Sequence, residues 1–386
     1  MRIIIITGKG GVGKTSIAAA TAVKAAQFAH KTLVMSTDSA HSLGDSFDLQ
    51  LGSEPVEISD NLFGLEVDTR KELSRYWSNI QAFIRKTVQA RGIDSVLAEE
   101  LSVLPGMEEL FSLLLLKEYY QTKAYDLVIV DCAPTASTIR QLSFPEVGSW
   151  YLQKIFPIQR AVVGMARPFA EKIYEVNLPD EGVFDNIRNL ILSLEGMKEI
   201  LVNPAITTVR FVLNLEKMVI KEIQRANMYM NLFGYNVDGV FVNKIFSEAL
   251  TDPYLDRWKK IQSDNMLLVE SSFSPIPIFK APLFEQEVVG IELLEKLGEV
   301  IYDEKDPANV FNHTPPIQLH MEGQNCILKW RLPNLKKSEI DLFTKGDELI
   351  LQTPLYQRNL PLPRALLGKT LKEAHQNGEH LIITFT

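Results

Sequence analysis

The sequence predicts an α/β fold, a doubly wound and mostly parallel sheet with helical insertions, followed by a small all-β sandwich. Three observations carry this. Up to about residue 302, short apolar runs rich in Ile and Val alternate with longer stretches of helical periodicity, the pattern of a parallel sheet covered on both faces. A glycine-rich turn joins the first of these runs to an Ala-rich helix. Past residue 303 the apolar spacing shortens to every second residue and prolines punctuate it.

The candidate strands are residues 3–6, 33–36, 64–67, 127–130, 209–213, 239–242 and 276–279. Two segments interrupt their rhythm. Residues 71–121 space Leu73, Trp77, Ile80, Ile84 and Val88 as a helix does, and residues 146–205 do the same at Ile187, Leu190, Ile191, Leu194, Met197 and Leu201. Neither is needed to complete a sheet. Their apolar faces either bury against the core or line a groove for an apolar client, and periodicity does not choose between the two.

Residues 304–316, with three prolines and several polar residues, suit a linker. The expected organisation is therefore an α/β domain over 1–303, the linker, and a β-sandwich over 317–386. In the last of these Ile317, Leu319 and Met321 alternate, as do Cys326, Leu328 and Trp330, then Ile340 with Leu342 and Leu381 with Ile383. A single helical turn is expected at residues 371–375.

A chain of 386 residues exceeds one ordinary domain of roughly 150. Its 46% hydrophobic and 23% charged residues describe a globular protein with ample core. Lys and Arg number 40 against 48 Asp and Glu, a net charge of −8, which argues against a general grip on nucleic acid or anionic lipid. No apolar run nears the roughly 18 residues of a membrane span, so no stable membrane insertion is expected. Cys132 and Cys326 are the only cysteines, too few for a disulfide framework or a four-cysteine zinc site. Met1-Arg2 and the four isoleucines after it lack a signal-peptide layout, and a cytoplasmic protein is expected.

The strongest motif is Gly8-Lys9-Gly10-Gly11-Val12-Gly13-Lys14-Thr15, which matches G-x-x-x-x-G-K-[ST] between the first strand and the first helix and makes this a P-loop NTPase. Its glycines let successive N–H groups of Gly8, Gly10, Gly11, Val12, Gly13, Lys14, Thr15 and Ser16 turn toward phosphate oxygens at a helix N-terminus. Lys14 neutralises the β and γ phosphates, and the Thr15 hydroxyl ligates magnesium. Asp131 ends a buried strand beside this loop, where a carboxylate holds the metal through water. Asp38 either supports the metal shell or caps its strand. Where guanine readers commonly carry N-K-x-D, this chain has Asn243-Lys244-Ile245-Phe246; guanine loses its carboxylate partner, while the Asn243 amide can serve adenine, so ATP is expected over GTP.

Lys9 is an extra cation inside the loop. The form K-G-G-V-G-K-T resembles the deviant phosphate loop of the SIMIBI class, which includes the nitrogenase iron protein, the septum-site and plasmid-partition ATPases, and the ArsA and tail-anchored-protein-targeting (GET pathway) ATPases. Residues 36–47, Ser36-Thr37-Asp38-Ser39-Ala40-His41-Ser42-Leu43-Gly44-Asp45-Ser46-Phe47, are similar to the first switch of that last group. Asp131-Cys132-Ala133-Pro134-Thr135 resembles its second switch, and Leu104-Pro105-Gly106-Met107-Glu108-Glu109, Val242-Asn243-Lys244 and the stretch from Pro282-Leu283 to Gly290 are also alike. The resemblance covers roughly residues 1–300.

It implies a Mg-ATP-dependent ATP hydrolase acting as a homodimer. Lys9 then reaches across to the partner's phosphates as an arginine finger does, Asp45 polarises the attacking water, and Pro282 and Leu283 border the nucleotide. Hydrolysis then opens and closes a surface for a hydrophobic polypeptide client or membrane-protein segment, as in a targeting factor or chaperone. Two departures stand out: Ser39 replaces the group's proline, and Ala136-Ser137 its Gly-His. They make a nucleotide-dependent interaction module with little turnover the alternative. With two cysteines no zinc clasp is expected, and the ATPase subunit of an oxyanion pump, whose metalloid calls for clustered thiolates, is a less favoured alternative. His41 is expected to pack in its loop.

Leu332-Pro333-Asn334-Leu335, Gly346-Asp347-Glu348-Leu349-Ile350-Leu351 and Leu360-Pro361-Leu362-Pro363 resemble an α-crystallin (small heat-shock) domain. No I-x-I anchor follows Phe385-Thr386, so large heat-shock oligomers are not expected. The domain either caps the ATPase or offers a platform to a client or partner.

Overall fold

The computed structural model describes residues 1–38, 42–68, 107–173, 181–249, 251–323, 325–346, 348–354, 356–362, 366 and 368–386. The helical periodicity expected at Leu73 to Val88, and the positions Ser39, Ala40, His41, Leu104, Pro105 and Gly106, lie outside them.

Eight strands form the large sheet: β1 (Arg2–Gly8), β2 (Thr32–Ser36), β3 (Val56–Ser59), β4 (Leu62–Glu66), β5 (Leu127–Asp131), β6 (Thr207–Asn214), β7 (Val237–Ile245) and β8 (Ile278–Pro282). Their order is β3-β4-β2-β5-β1-β6-β7-β8. Every adjacent pair is parallel except β3 with β4. Ile3, Ile4 and Ile6 of β1 are fully buried, as expected of a central strand covered on both faces.

Two details differ from expectation. β3 has no counterpart among the candidate strands, because a four-residue, half-exposed edge strand buries too little to leave an apolar pattern. β8 begins two residues late, since Pro275 and Pro277 supply no N–H to a ladder.

Among the described residues the α-helices are α1 (Lys14–Gln27), α2 (Ser42–Phe47), α3 (Met107–Thr122), α4 (Thr135–Lys154), α5 (Phe156–Ile173), α6 (Glu181–Leu192), α7 (Met197–Val202), α8 (Lys217–Phe233), α9 (Pro253–Phe273) and α10 (Ile291–Tyr302). α1 packs on α10 at close range: a Cβ on Gly298 would lie 3.0 Å from the Ala20 carbonyl oxygen. Leu190, Leu194, Met197 and Leu201 of the second insertion are buried in the main core. That insertion is therefore anchored on one face.

One charged pair lies inside this core. Arg210 on β6 and Asp238 on β7 are both fully buried, with Nε 3.0 Å from Oδ1. Arg210 also donates to the Tyr302 hydroxyl at 3.2 Å and to the carbonyls of Pro307 and Asn309 at 2.8 and 3.0 Å. Arg2 donates to the Ala308 carbonyl at 3.1 Å. The Asn312 side-chain amide donates to the Val237 backbone carbonyl at 2.9 Å, and the Asn312 backbone carbonyl accepts from the Asn236 side-chain amide at 2.8 Å. The first part of the proline-rich segment is thus stitched to β1, β6 and the start of β7, because buried guanidinium donors must be satisfied.

The second unit has two antiparallel sheets. One has the order β14-β15-β10-β9 and the other β11-β12-β13, from β9 (Ile317–Glu322), β10 (Asn325–Arg331), β11 (Asp341–Lys345), β12 (Glu348–Gln352), β13 (Gln357–Pro361), β14 (Leu371–Asn377) and β15 (His380–Phe385). Residues 371–375, expected as a helical turn, belong to β14, which pairs with β15 across a turn at Gly378 with φ 58°. The cross-strand ladder overrides a local preference that a few residues express weakly. Trp330, Leu328, Leu351, Ile383 and Phe385 fill this core, and Met228 and Leu232 of α8 join it. Trp330 Nε1 donates to the Asn231 carbonyl at 3.0 Å, so the sandwich is seated on α8.

Candidate nucleotide site

The site forms where β1 gives way to α1. At Gly8 a Cβ would lie 2.2 Å from the Val212 carbonyl oxygen on β6, and at Gly13, whose φ is 90°, it would lie 2.4 Å from Asn243 Nδ2. Glycine is the residue these two places admit. The loop between them is held from β7: Asn243 Nδ2 donates to the Val12 carbonyl at 2.9 Å, and Lys244 Nζ to that of Gly11 at 3.2 Å. Asn243 Oδ1 accepts from the Lys244 backbone at 2.9 Å, leaving one amide hydrogen and one lone pair. Lys14 folds back over the loop and donates to the Lys9 carbonyl at 3.3 Å.

Beside the loop lies a cleft of about 730 Å³. The structure brings Gly10, Gly11, Gly13, Lys14, Thr15, Ser16, Asp38, Asp45, Asn243, Pro282 and Leu283 to its wall. Gly8, Lys9, Val12 and Asp131 do not line it. Val12 is buried under the loop, and of Lys9 the backbone carbonyl is engaged.

Asp131 ends β5 with 1% exposure, and neither of its oxygens has a hydrogen-bond partner among the described residues. Burial pushes its carboxyl up to about 7; the nearby Thr15 hydroxyl and Lys14 ammonium offset this in part, and Asp38 adds to it. The Thr15 hydroxyl is 3.3 Å from that of Ser42. A buried carboxylate short of partners, with a hydroxyl and a second carboxylate close by, is a donor set for a hard divalent cation, so these residues fit magnesium.

Three contributors are not singled out as site residues in the sequence. Ser42 lies inside the first-switch motif, and Lys244 directly follows Asn243, but Glu66 is a lone acid at a strand end. Its Oε1 accepts the Gly44 N–H at 2.9 Å, one residue before Asp45, and fixes the short helix α2. The cleft-lining stretch after Leu283 is tied to the same helix, where the Gly290 N–H donates to the Ser46 carbonyl at 2.9 Å.

Ala136 falls in the first turn of α4, outside the positive-φ residues, so replacing glycine there brings no backbone strain in this arrangement. Cys132 is buried, and burial followed by the neighbouring Asp131 pushes its thiol up to about 12. Cys326 is buried in the other core. Among the described residues no helix is long and apolar enough to cross a membrane.

Comparison with known proteins meets this geometry. The profile of the anion-transporting ATPase family matches residues 1–303, and that of the HSP20-like domain found in ArsA matches residues 323–385. A protein of Aquifex aeolicus with the provisional name arsenical pump-driving ATPase 1 is 40% identical over 393 aligned residues, covering 99% of both chains. Another with the provisional name arsenical pump-driving ATPase, from Prosthecochloris vibrioformis, is 40% identical over 95% of this chain and 92% of its own. ATPase ASNA1 homolog 2 of Paramecium tetraurelia is 28% identical over 78% of this chain and 94% of its own. A phosphate loop braced by β7, a buried acid at the end of β5 and a profile match across the whole α/β unit agree: the chain belongs to the anion-transporting ATPase family, an ATP hydrolase joined to an HSP20-like domain.

Proposed function

We propose that this ATPase is a magnesium-dependent, cytoplasmic homodimer whose nucleotide state opens and closes an apolar surface for hydrophobic polypeptide segments, such as the tail anchors of membrane proteins. The observation that supports it lies on α5. Ile158, Val162 and Met165, spaced i, i+4 and i+7 on one face, are 61%, 54% and 69% exposed. The helix is anchored on another side through Phe156, which packs edge-on against Phe184 at 5.6 Å. Val147 of α4, 58% exposed, adds to the apolar surface of these helices. An exposed apolar stripe of this kind marks a surface that takes an apolar partner.

The chemistry follows from the residues that line the cleft and from Lys9 and Asp131 next to its loop. Loop N–H groups and Lys14 bind the phosphates of ATP, and the remaining amide hydrogen and lone pair of Asn243 suit the adenine edge. Thr15, Asp131 and Asp38 would hold magnesium, which when bound draws charge away from the phosphate oxygens. Asp45 orients water in line with the γ phosphate, and Glu66 positions it through Gly44. Lys9 serves the partner's phosphates in the dimer, as the resemblance of its loop implies.

Glu66→Ala should lower ATP turnover about tenfold while KM for ATP stays within about twofold, because the water-orienting helix is loosened and the phosphate loop is not. Glu66→Gln, which keeps an acceptor oxygen, should recover most of the rate. Steady-state phosphate release reads both, and an equal loss in the two variants would remove the positioning role.

Pump-driving, which the provisional names of two relatives mention, is the lesser reading here. Soft metalloids call for clustered thiolates, and the two cysteines are buried in separate cores.

The test of client binding is light scattering by a purified membrane-span polypeptide diluted from detergent. The ATPase with ATP should suppress it. Val162→Asp should lose that suppression while hydrolysing ATP within about twofold of the normal rate, as expected of a substitution at an exposed residue that does not line the cleft. No suppression by the unaltered protein in any nucleotide state would sink the proposal.

A further inference from the structure

We propose that the HSP20-like domain acts in cis as a latch on α4, with Arg358 and Glu146 as its catch. α4 leaves the nucleotide site directly, starting at Thr135 just after β5. Its first half is fixed to the core: the Thr138 hydroxyl lies 2.7 Å from that of Thr7 on β1, and Gln141 donates to the Ser112 hydroxyl at 2.7 Å. Pro145 then sits inside the helix. Having no N–H, it cannot bond the Gln141 carbonyl, and the helix is weakest at that turn.

The catch falls on the next residue. Glu146 pairs with Arg358 of β13, whose side chain is 2% exposed and whose guanidinium lies 4.6 Å from the Phe233 ring centre. Two residues before Arg358, Tyr356 packs edge-on against Tyr229 of α8 at 5.0 Å. Among the described residues Arg358 has no other carboxylate, and its Nε has no partner. A guanidinium buried this deeply does not readily stand unpaired, so Glu146 cannot leave alone.

Beyond Glu146, α4 leads into α5 and its exposed stripe. A swing of these helices relative to the phosphate loop passes through Pro145, and it must open the catch or carry the sandwich along. Lys198 of α7, 3.5 Å from the other Glu146 oxygen, supplies an alternative partner for Glu146 when Arg358 lets go. The latch itself rests on this geometry. Its consequence for clients rests on the function proposed above.

Hydrogen–deuterium exchange on the full chain reads the catch without any client, so its outcome stands apart from the scattering assay. Arg358→Met removes the buried charge and keeps an unbranched side chain. Amides of residues 146–165 should then exchange about tenfold faster, with β1 and α1 unchanged, as in a local opening. Glu146→Gln, the milder change, should move the same amides in the same direction. Tyr356→Leu, which trims the interface without touching the pair, should leave them near normal. Exchange within about twofold of normal in Glu146→Gln and in folded Arg358→Met overturns the latch. Equal acceleration in Tyr356→Leu also overturns it, since the interface would then be packing alone.

Discussion

Asp45→Asn is expected to leave ATP binding intact and to lower turnover by roughly two to three orders of magnitude. Asp45 stands on α2 at the wall of the cleft, with the Gly44 amide beside it held by Glu66. Asparagine fills the same space and can still accept a hydrogen bond from water, but it lacks the negative charge that makes the water a nucleophile. Binding of a fluorescent ATP analogue should therefore stay within about threefold, because the proposed function assigns phosphate binding to the loop amides and Lys14. Single-turnover phosphate release checks the rate. A loss smaller than about tenfold would take the water-orienting role away from Asp45.

The second large effect is on stability. Asp238→Ala should destabilise the α/β unit by about 3–5 kcal/mol, because it leaves the Arg210 guanidinium uncompensated in a fully buried position. Arg210→Met combined with Asp238→Leu should recover part of that loss, since no charge is then stranded. Recovery stays incomplete: the carbonyls of Pro307 and Asn309 and the Tyr302 hydroxyl lose their donor. Urea unfolding of the three proteins, followed by tryptophan fluorescence, measures the order. If the double variant were no more stable than Asp238→Ala, burial of charge would not be the cause.

The sequence carried the parts of the fold whose physics is local. Central strands such as β1 and β5 are buried on both faces and so read as unbroken apolar runs. β3 pairs on one side and is half exposed, so no pattern marks it. β14 is set by its partner β15 and by the turn at Gly378, which a helical reading of Leu371 to His375 passes over. At the site, glycine spacing announces the phosphate loop because close approach at Gly8 and Gly13, with a positive φ at Gly13, leaves no room for a side chain. Glu66 and Lys244 are invisible in that way. Their partners, Gly44 and Gly11, stand 22 and 233 residues away, and only the parallel sheet brings each pair together. The composition of residues 304–316 describes a linker, whereas the donors that stitch its first part down, Arg2, Arg210 and Asn236, are distant in sequence.

That stitching leaves a very short free tether. With Asn312 bonded to Val237, and the Pro316 carbonyl accepting from Arg331 of the sandwich at 2.8 Å, residues 313–316 alone span the two units. Four residues reach about 14 Å when fully extended. A sandwich that lets go of Glu146 therefore stays within one helix diameter or so of its seat, at an effective concentration in at least the millimolar range. Release is then a matter of duty cycle. The domain rebinds as fast as local motion allows, and the fraction of time α4 spends unclasped, set by competition within a single chain, does not depend on how much protein is present.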